Sequence, residues 1–253
     1  MRKFGLIGHP LKHSFSKKFF SEKFEKEGLG NCQYELFDID GISKITQVIR
    51  ENPELEGLNV TIPYKEQVIP YLDEMEPGCR VIGAVNTVRI KNGRLTGFNT
   101  DYYGFKESLS KWLDGRQPGA LILGSGGASR AVKQALADLT IPYLMVSRQK
   151  TKVPGSVDYS DLVADRRYLD EHHLIINTTP LGTFPNIAEM PPIPLEYLTD
   201  QHLVYDLVYN PATTLLMESA ADRGALTKNG HEMLILQAEA SWGIWNRAPD
   251  ADK

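Results

Sequence analysis

The sequence Leu121-Ile-Leu-Gly-Ser-Gly-Gly-Ala-Ser-Arg130 passes from a short apolar run into glycines and then into a helical pattern that continues to Leu139. The apolar run predicts a buried strand. Glycines after a strand let the backbone turn tightly and approach a ligand, because no Cβ stands in the way. The free N–H groups and the dipole at the start of the helix favour a phosphate. The spacing matches a dinucleotide fingerprint at its first two glycines and has Ser129 at the third. The alternative is an ordinary glycine turn.

Strands and helices alternate on both sides of residue 103, which predicts an α/β protein of two units. Each unit is expected to have a parallel or mixed sheet covered on both faces, with a ligand cleft between the units. Several elements are predicted before residue 103: a strand at Phe4–Gly8, a helix from Lys17 to about Gly28 with Ser16 as its N-cap, strands at Tyr34–Ile39 and Leu58–Thr61, and a hairpin that turns at Asn92-Gly93.

The composition limits the classes of protein to which the chain can belong. The 253 residues suit two modest domains, and 42% hydrophobic with 24% charged residues leaves ample material for a core. The net charge of −4 gives no reason to expect nucleic acid or an anionic membrane as a partner. No segment approaches the roughly 18 apolar residues of a membrane helix, and the start of the chain has no signal-peptide pattern. Cys32 and Cys79 form no metal-type or redox pair, so a reduced, cytoplasmic enzyme is expected.

Polar residues lie where the predicted strands end, which is where ligands bind in such folds. They are Ser14, Ser16, Asn59, Thr61, Asn99 and Asp101 in the first unit, and Thr178, Thr179 and Tyr209 in the second. Ser16 and Asp101 have a second interpretation, since either residue is well placed to cap a helix.

Lys65 is a candidate for chemistry. Pro63 stands where a helix is expected to begin, so Lys65 falls in its first turn, where a cation opposes the helix dipole.

The strand after the glycines, Tyr143 to Val146, ends in Ser147 with no carboxylate, and Arg148, Lys150 and Lys152 follow within six residues. An Asp or Glu at this strand end binds the ribose 2′-hydroxyl of NAD and would repel the 2′-phosphate of NADP. Serine and arginine favour the phosphate, so the pattern predicts NADP. The alternative is a solvated basic loop.

Eight stretches, in order along the chain, resemble shikimate dehydrogenases. They are Ile7-Gly-His-Pro-Leu-Lys-His-Ser-Phe-Ser16, Asn59-Val-Thr-Ile-Pro-Tyr-Lys65, Gly83-Ala-Val-Asn-Thr87, Asn99-Thr-Asp101, Gly124-Ser-Gly-Gly-Ala128, Asn177-Thr-Thr-Pro-Leu-Gly182, Tyr209-Asn-Pro211 and Gly230-His-Glu-Met-Leu-Ile-Leu-Gln-Ala238. The resemblance implies reversible reduction of 3-dehydroshikimate to shikimate with NADPH. It also implies a substrate domain of residues 1–102 plus 228–253 and a Rossmann-like NADP domain of residues 103–227.

The same resemblance implies roles for individual residues. Lys65 and Asp101 would form the catalytic pair. Ser14, Ser16 and Tyr209 would hold the substrate carboxylate, and its hydroxyls would meet Asn59, Thr61, Asn86, Asp101 and Gln237. The cofactor would contact Gly124, Ser125, Gly126, Gly127, Ala128, Ser147, Arg148, Lys152, Thr178, Thr179, Pro180, Leu207, Gly230 and Met233. The chain departs from the family pattern at Lys17, Ser147, Gln149 and Thr183.

The chemistry of ketone reduction agrees with these roles, because a lysine beside a carboxylate can donate a proton or stabilise the developing alkoxide. No His, Cys, Asp and Glu spacing indicates a metal site. A monomer or a homodimer is expected. Two alternatives stay open: a quinate/shikimate dehydrogenase that uses NAD or NADP, and a non-catalytic homologue that senses the cofactor.

Overall fold

A computed structural model describes residues 1–11, 14–148 and 154–247. The chain divides into two compact units, Met1–Thr100 with Gln237–Lys253 and Asp101–Leu236. The sequence predicts the divisions after residues 102 and 227, whereas the units divide after Thr100 and after Leu236.

The first unit is built on a mixed sheet in the order β2-β1-β3-β5-β6-β4. Its strands are β1 (Arg2–Gly8), β2 (Cys32–Asp38), β3 (Leu55–Val60), β4 (Glu74–Met75), β5 (Thr87–Lys91) and β6 (Arg94–Phe98). The central strand β1 is parallel to β2 and β3, and β5 is antiparallel to β3 and β6. The carboxyl ends of β1, β3 and β6 therefore meet the start of β5 at one edge of the sheet.

The predicted hairpin between β5 and β6 is confirmed. Asn92 and Gly93 have φ angles of 52° and 76°, the two positive values that a type I′ turn requires.

Helices cover both faces of this sheet. They are α1 (Phe15–Lys26), α2 (Ile45–Glu51) and α3 (Pro77–Ile82), together with part of the last helix of the chain, α9 (His231–Trp245). One core lies under α1 and α9, where Phe20, Phe24 and Trp245 pack against Phe4 of β1. The other face is filled by aliphatic side chains such as Ile45, Leu58 and Val88.

The cap of α1 is Ser14, so the prediction of Ser16 as N-cap is wrong. The Ser14 hydroxyl accepts a hydrogen bond from the backbone N–H of Lys17 at 3.2 Å. Its backbone is extended, at φ −128° and ψ 115°, as is usual for an N-cap residue, and Ser16 already lies within the helix.

No helix begins at Pro63, so that prediction is also wrong. Residues 65–68 form turns, and a short 3-10 helix follows at Ile69–Tyr71. Pro70 lacks an N–H group, so a helix starting at Pro63 would lose a hydrogen bond within two turns. The helix-dipole argument for Lys65 therefore does not hold, and the case for this residue rests on its motif.

The second unit has an all-parallel sheet in the order β11-β10-β9-β7-β8. Its strands are β7 (Ala120–Leu123), β8 (Tyr143–Val146), β9 (Leu174–Asn177), β10 (Leu203–Asp206) and β11 (Leu226–Asn229). Its helices are α4 (Thr100–Leu113), α5 (Gly127–Asp138), α6 (Tyr159–Ala164), α7 (Arg167–Glu171), α8 (Leu215–Ala221) and the first residues of α9. The chain order reverses between β7 and β9, and ligands bind at such a switch point in doubly wound folds.

The burial of a histidine in the second unit predicts that the stability of this unit depends on pH. His202 is 2% exposed, its Nδ1 accepts a hydrogen bond from the Thr199 N–H at 3.0 Å, and its Nε2 lies 3.2 Å from the Leu169 carbonyl. Burial lowers the pKa of His202 below its usual value of 6.5.

We expect the free energy of unfolding to fall as the pH drops below 6.5, because His202 then binds a proton in the unfolded chain but stays neutral in the folded protein. Urea unfolding at pH 7.5 and 5.5 measures the loss. The loss should be smaller in His202→Gln than in the wild type, and the exposed-site variant His231→Gln should keep it in full. An equal loss in His202→Gln and the wild type would contradict this assignment.

Candidate functional site

Buried polar side chains form a network at the edge of the first sheet where β3 ends and β5 begins. Asn59 is at its centre. Its Oδ1 accepts a hydrogen bond from the Tyr34 hydroxyl at 2.7 Å, and its Nδ2 donates to the Ser241 hydroxyl of α9 at 3.0 Å. A buried amide ordinarily has such partners, because an unpaired one would cost about 1–3 kcal/mol.

The network extends from Ser241 to two more residues predicted to bind substrate, Asn86 and Gln237. Thr100 supplies the connection. Its N–H donates to Asn86 Oδ1 at 2.6 Å, and its hydroxyl lies 3.1 Å from the Ser241 hydroxyl and 3.4 Å from Gln237 Oε1. Thr87 completes the cluster, 2.8 Å from the Ser241 hydroxyl and 3.0 Å from that of Thr100.

The sequence interpretation missed the hydroxyls of Thr87, Thr100 and Ser241. A signal existed for each of them. Thr87 and Thr100 lie inside motifs already singled out, and Ser241 is one helical turn after Gln237, so it lies on the same face of α9.

Ser16, in the first turn of α1, lies near Tyr34 of this network. Burial raises the pKa of the Tyr34 phenol, and the nearby Ser16 hydroxyl acts against that rise. Tyr34 thus lies between a predicted carboxylate ligand and Asn59, to which its hydroxyl donates. The tyrosine was missed because its place in an apolar strand pattern gives it an ordinary core interpretation.

Two further contacts at this edge position the segments next to the network. Asp38, at the end of β2, accepts hydrogen bonds from His9 Nδ1 at 2.6 Å and from the Leu11 N–H at 3.0 Å, and these bonds lower its pKa. Thr61 continues β3 by donating its N–H to the Ile7 carbonyl at 2.9 Å, and half-buried Lys65 accepts a backbone hydrogen bond from Val85 at 2.8 Å.

Asp101 and Tyr209 belong to the second unit. Asp101 lies in the first turn of α4 and is 9% exposed, in a place where the helix dipole favours a carboxylate. Tyr209 is 38% exposed, and partial burial raises the pKa of its phenol.

The glycine turn after β7 lies directly against the segment that follows β9. Gly124 has a φ of 104°, and a Cβ on it would come within 2.9 Å of both Thr178 Oγ1 and Thr179 Cγ2. The Thr178 hydroxyl donates a hydrogen bond to the Leu123 carbonyl at 2.7 Å. Gly126 differs from Gly124, because its φ of −82° is ordinary and a Cβ there would meet nothing within 4 Å.

A cavity of about 260 Å³ opens at this switch point. Its lining contains no Asp or Glu among the described residues, and Gly126 caps α5 without a side-chain hydrogen bond, which leaves the first N–H groups of the helix available to an anion. The lining consists of Gly124, Ser125, Gly126, Ser147, Arg148, Tyr159, Thr178, Thr179 and Pro180. All of these except Tyr159 were predicted cofactor residues.

The remaining predicted cofactor residues do not line this cavity. Gly127 and Ala128 start α5. Leu207, Gly230 and Met233 gather elsewhere in the unit: a Cβ on Gly230 would lie 2.1 Å from the Leu207 carbonyl oxygen, and Leu207 and Met233 share one apolar cluster. Lys152 lies outside the described residues.

The sequence interpretation also missed Asp206, a fully buried carboxylate at the end of β10. Its Oδ1 accepts hydrogen bonds from Asn177 Nδ2 at 2.9 Å and the Val208 N–H at 3.0 Å, and its Oδ2 accepts one from the Thr214 hydroxyl at 2.7 Å. Asn177 Oδ1 in turn accepts hydrogen bonds from the Thr179 N–H at 2.9 Å and from the Thr179 hydroxyl at 2.7 Å. Asp206 therefore fixes one wall of the cavity.

Two substitutions distinguish the effect of the Asp206 hydrogen bonds on stability from the effect of the Asp206 charge. Asp206→Ala should lower the free energy of unfolding by about 1–3 kcal/mol, because it leaves buried donors unpaired. Asp206→Asn keeps an oxygen for Asn177 and Val208 and an N–H for Thr214, so it should be far less damaging.

Burial raises the pKa of Asp206, so its favourable contribution to stability declines as the pH rises above the ordinary value of 3.8. The wild type should therefore lose stability relative to Asp206→Asn between pH 4 and 7 in urea unfolding. Equal damage by both substitutions would show that the charge itself is needed.

Two negative findings apply to the described parts of the chain. No group of three or more His, Cys, Asp or Glu side chains in them is arranged to hold a metal ion. No helix among them is long and apolar enough to cross a membrane.

Comparisons with known proteins match both units. A family model described as the shikimate dehydrogenase substrate binding domain matches residues 6–88. A shikimate dehydrogenase (NADP(+)) of Methanococcus maripaludis is 39% identical, over 95% of this chain and 90% of its own. The Thermus thermophilus shikimate 5-dehydrogenase, solved in complex with NADP(H) and shikimate, is 31% identical with a TM-score of 0.85, over 97% of this chain and 94% of its own. A quinate dehydrogenase from Corynebacterium glutamicum, solved with NAD, is 26% identical with a TM-score of 0.86, over 97% of this chain and 93% of its own.

Proposed function

Because this chain belongs to the shikimate dehydrogenase family, we infer that it catalyses the reversible NADPH-dependent reduction of 3-dehydroshikimate to shikimate. It is an oxidoreductase that acts on a CH–OH group, in a step of aromatic amino acid biosynthesis. The observation that carries this conclusion is the identity to NADP-dependent relatives along almost the whole chain. A spectrophotometric assay at 340 nm that crosses shikimate and quinate with NADP and NAD tests it, and shikimate with NADP should give the highest kcat/KM.

The substrate is assigned to the polar residues of the first unit, with two from the second. Ser14, Ser16 and Tyr209 would bind the carboxylate. The hydroxyls would meet Asn59, Thr61, Asn86, Asp101 and Gln237. The hydrogen bonds through Tyr34, Thr100 and Ser241 support this assignment, because they fix the amides of Asn59, Asn86 and Gln237 before substrate arrives.

Lys65 and Asp101 form the proposed catalytic pair. Reduction of the ketone places negative charge on its oxygen, and the Lys65 ammonium stabilises that charge and donates the proton. In the reverse direction a carboxylate can accept a proton from the alcohol. NADPH, when bound, supplies the hydride.

Lys65→Ala should lower kcat by about 10²- to 10⁴-fold, the usual contribution of general acid catalysis, without changing the Kd for NADP. Steady-state kinetics and calorimetric titration measure the two quantities. Lys18→Ala, on an exposed face of α1, is the matched control and should leave both unchanged. A kcat near the wild-type value in Lys65→Ala would remove the residue from the chemistry.

The cavity at the β7–β9 switch point suits the adenosine end of NADP. The open N-terminus of α5 and the glycines without Cβ atoms fit a diphosphate, and the carboxylate-free lining fits a further phosphate on the ribose. Arg148 is exposed at the end of β8 and makes no ion pair or hydrogen bond with the described residues, and the Ser147 hydroxyl lies 3.3 Å from that of Ser125. Arg148, Ser147 and Lys152 are assigned to the 2′-phosphate, whereas Leu207, Gly230 and Met233 are assigned to the nicotinamide end.

Arg148→Ala should weaken NADP binding about 10- to 150-fold, since a hydrogen bond to a charged group contributes about 1.5–3 kcal/mol. NAD lacks the 2′-phosphate, so its affinity should barely change. Titration with both cofactors measures the effect, with Arg223→Ala in the exposed turn after α8 as the control. An equal loss for both cofactors would contradict the assignment of Arg148.

The structural similarity to a quinate dehydrogenase solved with NAD favours the quinate-type alternative. The absence of a carboxylate at Ser147 favours NADP over NAD in this chain. The presence of Lys65 and Asp101 favours an enzyme over a cofactor sensor. A cytoplasmic location and a monomeric or homodimeric state stay predictions.

A further inference from the structure

Among the described residues that line the switch-point cavity, only Tyr159 is not assigned by the motifs. Its side chain is 7% exposed and belongs to the apolar cluster that includes Leu121, Leu123 and Leu162. It nevertheless lines the cavity together with Ser147 and Arg148. Because the Tyr159 ring packs in the core beside the cavity, its hydroxyl is the polar group that the side chain can present to a ligand there.

The backbone fixes this placement independently of any ligand. Val157 forms a parallel bridge with Val146 at the end of β8. The Ser147 N–H donates to the Val157 carbonyl at 2.9 Å, and the Val157 N–H donates to the Met145 carbonyl at 2.9 Å. The segment that carries Tyr159 is therefore tied to the strand end that carries Ser147 and Arg148.

The phenol has no hydrogen-bond partner in the described parts of the chain. The hydroxyl of a largely buried tyrosine usually has a partner. The nearby Asp158 carboxylate accepts from the N–H and the hydroxyl of Ser160, as part of the cap of α6. A ligand that binds in the cavity can supply an acceptor for this hydroxyl.

We propose that Tyr159 donates its phenolic hydrogen to the 2′-phosphate of NADP and so acts as a further residue that selects NADP over NAD. This inference rests on the proposed function. A phosphate monoester fits the surroundings, since the Arg148 guanidinium and the hydroxyls of Ser125 and Ser147 lie in the same lining and are all donors.

The protonation state of the phenol agrees with this role. Burial raises the pKa of Tyr159 to about 12, and the positive charge of Arg148 acts against part of that rise. The phenol therefore keeps its proton at neutral pH and can donate it to a phosphate dianion, which has only acceptor oxygens.

The test compares adenosine 2′,5′-bisphosphate with adenosine 5′-monophosphate, which lacks the 2′-phosphate, by calorimetric titration of the full chain. Tyr159→Phe keeps the ring and removes the hydroxyl. It should raise the Kd for the bisphosphate about ten- to a hundredfold and leave the Kd for the monophosphate unchanged. The KM for NADP should rise likewise, with kcat and the KM for shikimate unchanged.

Tyr168→Phe is the matched control, because Tyr168 packs against the same apolar cluster and does not line the cavity. It should change neither Kd. An unchanged Kd for the bisphosphate in Tyr159→Phe, or an equal loss for both nucleotides, would overturn the inference. A wild-type preference for the bisphosphate that survives in Tyr159→Phe would sink only the role of Tyr159, whereas absence of that preference in the wild type would count against the proposed cofactor itself.

Discussion

A polar side chain that is buried at the end of a strand has to find its hydrogen-bond partners inside the protein, and each unit contains such a group beside residues to which ligand binding is assigned. In the first unit this group is the Asn59 amide, which takes its partners from β2 and α9. In the second it is the Asp206 carboxylate, which takes its partners from β9 and the segment before α8. The hydrogen bonds that satisfy these groups also fix the side chains to which we assign ligand binding, so stability and preorganisation have the same source.

The local patterns of the sequence predict much of the fold. Apolar runs bounded by glycine or by polar residues identify β1, β7 and β8, and Asn92-Gly93 identifies the hairpin, because these signals act over a few residues. The failures have local causes too. No helix forms at Pro63, where Pro70 would remove one of its hydrogen bonds within two turns. Strand β11 was missed because its last three residues, Thr227, Lys228 and Asn229, are polar at the edge of the sheet.

The candidate site is predicted less completely, since its members meet through long-range contacts. Motifs identify Asn59, Asn86 and Gln237, but no spacing rule indicates that Ser241 would hydrogen-bond to a residue 182 positions earlier. Tyr159 and Asp206 were missed for the same reason. The sequence alone indicates an ordinary core or strand-end residue at each position, because only the sheet order shows that both lie near the switch point.

The two glycines on either side of Ser125, Gly124 and Gly126, are required for different reasons. The space next to Gly124 is filled by Thr178 and Thr179, whereas the space next to Gly126 is open. A lineage that lost its need for the nucleotide would therefore still be held to glycine at position 124 by folding alone, while position 126 would be free to drift. The side chains found at these two positions in distant homologues would thus record separately whether the fold has been kept and whether the ligand has.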